Sequence, residues 1–285
     1  MKQTITRFAP SPTGLLHVGH AFSAMFAADA AKRAGGDFLL RIEDIDHGRC
    51  HPQFETAILD DLKWLGLDWP EPVRRQSDHI AEYADALDRL DRLGLLYPCF
   101  CSRAEIRREI AESDRAPHIA GADSVGPLYP GTCRNLSTEQ RQSRIANGEA
   151  YALRLEMTAA IAEPLTWTDR DHGETPATPE IFGDVVLARK DIPTCYHMAV
   201  SLDDHLQGVT LVTRGEDLRA ATHLHRLLQA LLGLDTPDYR FHALVTSDDG
   251  VRLAKRDKSI TIASLRDAGR TPGEVMAMAG WDDGS

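Results

Sequence analysis

The chain has 285 residues, 42% of them hydrophobic and 26% charged, which excludes a fibrous or disordered protein and allows a large buried core. A net charge of −11 excludes a broad electrostatic grip on nucleic acid, leaving only local basic clusters: Arg103, Arg107 and Arg108, and Arg252, Lys255, Arg256 and Lys258. The start has no signal-peptide pattern and no apolar run is long enough to span a membrane, so a cytoplasmic protein without a membrane partner is expected.

In chain order, residues 4–8 alternate like a strand and run into a Pro/Ser/Thr/Gly loop, after which 20–33 reads as an Ala-rich helix. The apolar run 37–42 suits a buried parallel strand, with Glu43 and Asp44 at its carboxyl end. Helices are predicted over 52–65, stopped by Gly66, and from a Ser77 cap to Gly94. Ser102 and Glu105 form a capping-box pattern that opens a basic helix, and 116–133 reads as a loop or metal-organised turn. Strands are predicted over 151–157 and 165–169, as part of a small α+β insertion, and then over 184–189, 194–200, 209–214 and 240–246. An amphipathic helix is expected over 217–232, and one or two short helices beyond Ser259.

Three groups of residues carry chemistry. His17-Val-Gly-His20 sits where the loop becomes a helix, and there free backbone N–H groups and the helix dipole favour phosphate. Two imidazoles at that point can donate hydrogen bonds to developing charge, and Gly19, lacking a Cβ, would let a flat base approach. Cys99, Cys101 and Cys133 supply three thiols with metal-like spacing; His118 would be a conventional fourth ligand, and in the absence of metal the thiols are buried small side chains. The odd number of cysteines, five, argues against a disulfide framework. Lys255 lies in a basic loop after the Asp248-Asp-Gly250 turn and can neutralise a leaving pyrophosphate as a point charge.

The segment Arg7-Phe-Ala-Pro-Ser-Pro-Thr-Gly followed by His17-Val-Gly-His20 resembles the glutamyl subgroup of class I aminoacyl-tRNA synthetases. The resemblance runs from Arg7 to about Lys258, and Arg252-Leu-Ala-Lys-Arg256 stands where the family has a Lys-Met-Ser-Lys-Ser-like loop, with Ala254 lacking the usual hydroxyl. It implies an α/β fold of the class I synthetase, Rossmann-like type, with a small insertion and no anticodon-binding domain. The expected layout is 1–98 and 181–258 as the two halves of the catalytic domain, 99–180 as a zinc-containing insertion and 259–285 as a short helical tail.

By the same resemblance His17, His20 and Lys255 are catalytic and, with Gly19, bind ATP. Arg7, Phe8, Ala9, Pro10, Ser11, Glu43, Tyr196 and Arg214 face glutamate, and Tyr129 is the fourth ligand of a structural zinc ion. Without the resemblance, Arg214 reads as a salt-bridge partner of Glu216 or Asp217, and Tyr196 as a sheet-face aromatic. Only about thirty residues follow the Lys255 loop, which points to the short paralogues of the family. These imply an adenylate-forming ligase, expected as a monomer, that activates L-glutamate with ATP and Mg2+ without tRNA. They then pass the glutamate to the queuosine base of tRNA(Asp). The competing readings are a shortened glutamyl-tRNA synthetase that charges the tRNA 3′ end, and an inert glutamate- or nucleotide-binding module.

Overall fold

The computed structural model describes residues 3–112, 128–245 and 260–281. Its first half runs β1 (Ile5–Phe8), α1 (Val18–Arg33), β2 (Asp37–Ile42), α2 (Pro52–Trp64), β3 (Arg74–Arg75) and α3 (Ile80–Arg92). Next come β4 (Leu96–Cys99), α4 (Arg103–Glu112), α5 (Thr138–Ala146), β5 (Ala152–Leu155), α6 (Met157–Ala160), β6 (Thr166–Asp169), β7 (Gly173–Pro176) and β8 (Val186–Ala188). The remainder is α7 (Tyr196–Leu206), β9 (Leu211–Gly215), α8 (Ala221–Leu232), β10 (Asp238–His242), α9 (Ile262–Asp267) and α10 (Pro272–Met278).

β1, β2 and β3 pair in parallel, as do β9 and β10. Thr210 joins the two groups: its N–H donates to the Ile5 carbonyl at 3.0 Å, and its hydroxyl accepts from the Ile5 N–H at 2.8 Å. The strands therefore follow one another as β3, β2, β1, β9, β10, with the order reversing between β1 and β9. In open α/β sheets a ligand lies beyond the carboxyl ends at such a reversal. The β6–β7 hairpin extends the β10 edge, whereas β4, β5 and β8 form a separate small sheet.

Local chemistry explains the close packing of the first βαβ unit. Ala21, Ala24, Ala27 and Ala31 fall on one face of α1 and are buried, and these small side chains let Thr6 Oγ1 reach the Ala27 carbonyl at 2.8 Å. Gly36 is required at the turn into β2, because a Cβ there would lie 1.9 Å from the Thr4 carbonyl oxygen.

Three expectations are corrected. Residues 194–200 are not a strand: α7 begins at Tyr196, and because Met198 through Asp204 are all buried, its polar residues mark no solvent-facing side. Ser77 caps no helix; it lies in a 3-10 turn where its N–H and hydroxyl both donate to Asp44, at 2.8 and 2.6 Å, and α3 starts at Ile80. The last strand, β10, ends at His242 rather than at residue 246, where the described segment has already stopped.

α7 brings Asp203 and Asp204 beneath the strand ends. Asp204 accepts from Arg7 Nε at 3.0 Å and from Arg41 Nη1 at 2.8 Å, while Asp203 accepts from Arg74 Nε and Gln76 Nε2, each at 2.8 Å, and from Tyr83 at 3.0 Å. Burial alone would raise the Asp204 pKa, but Arg7 and Arg41 hold it below the ordinary carboxylate value. Asp204→Asn, which leaves two buried guanidiniums undercompensated, is expected to cost about 3–5 kcal/mol of stability. Urea unfolding at pH 7 measures this, and a loss under about 1 kcal/mol would show that the arginines do not depend on the carboxylate.

The tail packs back on α1 and α2, with Ile262, Val275 and Met276 in the same core as Ala21, Ile58 and Leu62. Asp61 is fully buried at this seam, 3.0 Å from Arg266 Nη1, but neither of its oxygens has a hydrogen-bond partner. Burial raises its pKa from 3.8 to about 6, against the opposing pull of Arg266. The folded state thus holds this proton more tightly than the unfolded chain, so stability falls as pH rises from about 4 to 6 and the full penalty is present above about 6. Asp61→Asn is expected to raise the unfolding free energy at pH 7.5 by up to about 3 kcal/mol, with the gain vanishing near pH 4. Thermal melts across that range test it; a gain independent of pH would contradict the assignment.

Candidate active site

The loop that leaves β1 reaches α1 through His17, which is in extended backbone (φ −119°, ψ 174°) just before the first helical turn. The His17 N–H donates to His20 Nδ1 at 3.2 Å, so a neutral His20 carries its proton on Nε2. The two rings stack with centroids 3.7 Å apart. Burial lowers the His17 pKa, and burial together with the neighbouring His17 takes His20 down to about 3, so both are neutral donors at pH 7. His17 Nδ1 is buried against the first turn of α1, beside the position a Gly19 Cβ would take. At Gly19 a Cβ would lie 3.1 Å from His17 Cε1 and 3.2 Å from His17 Nδ1, so any side chain there would press on the His17 ring.

The residues assigned to glutamate gather at the β1/β9 reversal. Ser11, Glu43 and Tyr196 line one cavity of about 270 Å³. Pro10 anchors the loop by accepting from the Glu43 N–H at 3.0 Å, while Phe8 is buried beneath and Ala9 is half-buried. Glu43 is itself buried, with Arg41 Nη2 3.2 Å from Oε1, and burial raises its pKa against the pull of Arg41 and Arg7. Arg7 is buried and engaged on Asp204 and, through Nη1 at 3.2 Å, on the Thr213 carbonyl, which ties β1 to β9.

Arg214, on β9, is 5% exposed. Its Nη1 donates to His225 Nδ1 at 3.2 Å, its Nη2 donates to Thr222 Oγ1 at 2.8 Å, and its Nε is buried without a partner. Among the described residues no carboxylate pairs with it, so the alternative salt bridge to Glu216 or Asp217 is not formed. Tyr196 is the first residue of α7 rather than a sheet-face aromatic, and it remains 36% exposed between two cavities.

Cys99 at the end of β4, Cys101, and Cys133 after the Gly131 turn bring their sulfurs within 4.8 Å of one another. The Cys101 and Cys133 sulfurs are 3.4 Å apart, and the Tyr129 hydroxyl lies 3.5 Å from Cys99 Sγ and 3.6 Å from Cys101 Sγ. Four donors around one centre fit a tetrahedral metal ion, whose sulfur ligands at about 2.3 Å from the ion are about 3.8 Å apart. His118, the other proposed ligand, and Lys255 with Arg252, Ala254, Arg256 and Lys258 lie outside the described residues. Arg103, Arg107 and Arg108 are exposed on α4, behind the expected Ser102–Glu105 capping box, whose two bonds are 2.6 and 3.1 Å.

Sequence reasoning missed Arg41, Asp203, Asp204, His197, Thr222 and His225. The signal available was a pair of aspartates inside an apolar run, which has to find cations when buried.

The chain matches the family of class I tRNA synthetases (E and Q), catalytic domain, over residues 3–280. It is 49% identical over 97% of its length to a glutamyl-Q tRNA(Asp) synthetase of Rhodobacter capsulatus, covering 99% of that protein. To a protein of the same name from Symbiobacterium thermophilum it is 44% identical over 95% of its length, covering 83% of the relative. The solved glutamate-tRNA synthetase of Elizabethkingia anophelis superimposes on 90% of the chain with a TM-score of 0.76 at 30% identity, and the chain spans about half of that protein (53%). None of the helices among the described residues is long and apolar enough to cross a membrane. The geometry at the strand reversal thus sits on a known scaffold: the chain belongs to the class I tRNA synthetases of the E and Q type, and within them to the glutamyl-Q tRNA(Asp) synthetase family.

Proposed function

We propose that the protein is a ligase that activates L-glutamate with ATP and Mg2+ in the absence of tRNA and then esterifies it onto the queuosine base in the anticodon loop of tRNA(Asp). The observation that carries the glutamate reading is Arg214, a buried guanidinium whose described partners are all neutral. Such a group calls for an anionic ligand, and an arginine fork meets a carboxylate in a planar, two-pronged way. Glu43, in the cavity with Ser11 and Tyr196, offers a carboxylate for the substrate ammonium. The names of the relatives at 49% and 44% identity support the acceptor.

In the first step the α-carboxylate of glutamate attacks the α-phosphorus of ATP, an acyl–phosphate bond forms and pyrophosphate leaves. An acceptor hydroxyl then attacks the acyl carbon and AMP leaves. The protein supplies placement and donors: the neutral N–H groups of His17 and His20 at the phosphates, and Lys255 at the leaving group. The wild type is expected to catalyse glutamate-dependent ATP–pyrophosphate exchange without tRNA. His20→Ala should lower that exchange more than tenfold, and Arg214→Ala should raise the glutamate KM at least tenfold with little change for ATP. Equal effects of Arg214→Ala on both substrates would remove Arg214 from the glutamate pocket.

We further propose that Cys99, Cys101, Cys133 and Tyr129 hold one structural zinc ion, which when bound would clamp β4 to the loop ending at Cys133. Metal analysis of the purified protein is expected to give about one equivalent of zinc, lost in Cys133→Ser together with part of the thermal stability. Sub-stoichiometric zinc, with all thiols freely titratable, would refute the site.

A further inference from the structure

Tyr196, which lines the cavity that holds Ser11 and Glu43, also lines a second cavity, of about 430 Å³, within the range of small-ligand sites. Its lining joins Tyr196 and His197 from α7 to Phe182 and to Arg154 and Tyr129 from the inserted segment. The protonation of His197 follows from the hydrogen bonds behind it. Arg214 can only donate, so His225 Nδ1, 3.2 Å from Arg214 Nη1, must be an acceptor, and a neutral His225 carries its proton on Nε2. That Nε2 stands 3.0 Å from His197 Nδ1, which must accept in turn, and the proton of a neutral His197 is therefore on its own Nε2. Burial, with Arg214 nearby, lowers the His197 pKa to about 4 and holds His225 well below its ordinary value, so the neutral relay persists at pH 7.

Two donors thus have no protein acceptor among the described residues: His197 Nε2–H, and Arg154 Nε, which is buried without a partner. Around them stand three aromatic rings, with Phe182 and Tyr196 edge-on to His197 at 6.1 and 5.2 Å and Tyr129 under the Arg154 guanidinium at 3.8 Å. Aromatic walls with convergent donors suit a flat heterocycle whose edge carries acceptor atoms, the way proteins hold splayed-out bases of single-stranded RNA.

We propose that this cavity seats the acceptor nucleobase of the RNA substrate, with Phe182 and Tyr196 as its walls and the His197 Nε2–H as the donor that reads its edge. The assignment rests on the acceptor reading given above. It sets the acceptor base next to the cavity that holds Ser11 and Glu43, with Tyr196 lining both.

The test compares two rates in the full-length protein: pyrophosphate exchange without RNA, and transfer of labelled glutamate to queuosine-bearing tRNA(Asp). For H197L the loss in transfer kcat/KM is expected to exceed the loss in exchange at least tenfold, and H197Q, which keeps an N–H donor, should recover part of it. F182L, which keeps an apolar wall but removes the ring, should raise the KM for the RNA without affecting that for glutamate, and it keeps the test open should H197L fail to fold. Equal losses in both rates, or full transfer by H197L and F182L, overturn the inference while leaving the proposed reaction intact. A wild type that exchanges pyrophosphate but labels no queuosine-bearing tRNA overturns the reaction itself.

Discussion

The arrangement depends on two carboxylates placed where an apolar helix would otherwise bury nothing charged. Asp203 and Asp204 receive guanidiniums from three successive strands of the parallel sheet: Arg7 on β1, Arg41 on β2 and Arg74 on β3. Coulomb attraction in a low-dielectric interior offsets the desolvation of these ions only when the geometry is good, and a one-residue slip of α7 would leave several charges unpaired. The register of α7 is set by this network. Tyr196 and His197 lie seven residues before Asp203 and Asp204, two helical turns and about 10 Å away on the same face. Charge pairing at one end of the helix thereby places the ring and imidazole at the other.

The site built on that foundation keeps its positive character without depending on protonated histidines. Burial leaves His17, His20, His197 and His225 neutral, so each acts through an N–H dipole of fixed direction, while the positive charge comes from the Arg214 guanidinium. A guanidinium ringed by neutral partners attracts an anion more strongly than one already neutralised on the surface. Arg7, next door, shows the contrast: its guanidinium already meets the buried Asp204 carboxylate and, through the Thr213 carbonyl, ties β1 to β9.

Much of this was legible in the sequence, for physical reasons that differ by element. β1, α1 and β2 were readable because alternation, an alanine face and a short apolar run each match one period, and the Ser102–Glu105 box because its two reciprocal bonds need only local residues. The thiol cluster was readable from spacing. α7 was not, since its middle, Met198 through Asp204, is buried on every side and its polar residues mark no solvent face, and the run through Ala199 and Val200 mimics a strand. Ser77 misled because its hydroxyl had a distant partner, Asp44, 33 residues away, that outcompeted the local helix terminus. The relay through His225 was invisible for the same reason: its members lie on α7, β9 and α8 and meet only through tertiary packing.

The stacked histidine pair is held from several directions at once. The tail reaches it through Ile262, whose N–H donates to the Leu16 carbonyl at 2.9 Å, and through an antiparallel bridge between His17 and Thr261. Farther along α1, Ser23 Oγ meets His242 Nε2 at 3.0 Å, and Phe22 packs edge-on against both His242 and Trp281. Restraints from β10 and from the tail fix the start of α1 before any ligand arrives, so the entropy of ordering His17 and His20 is lost during folding and not during binding. Donors fixed in this way need no reorganisation when charge develops on a phosphoryl group, the condition under which a neutral N–H contributes most to a transition state.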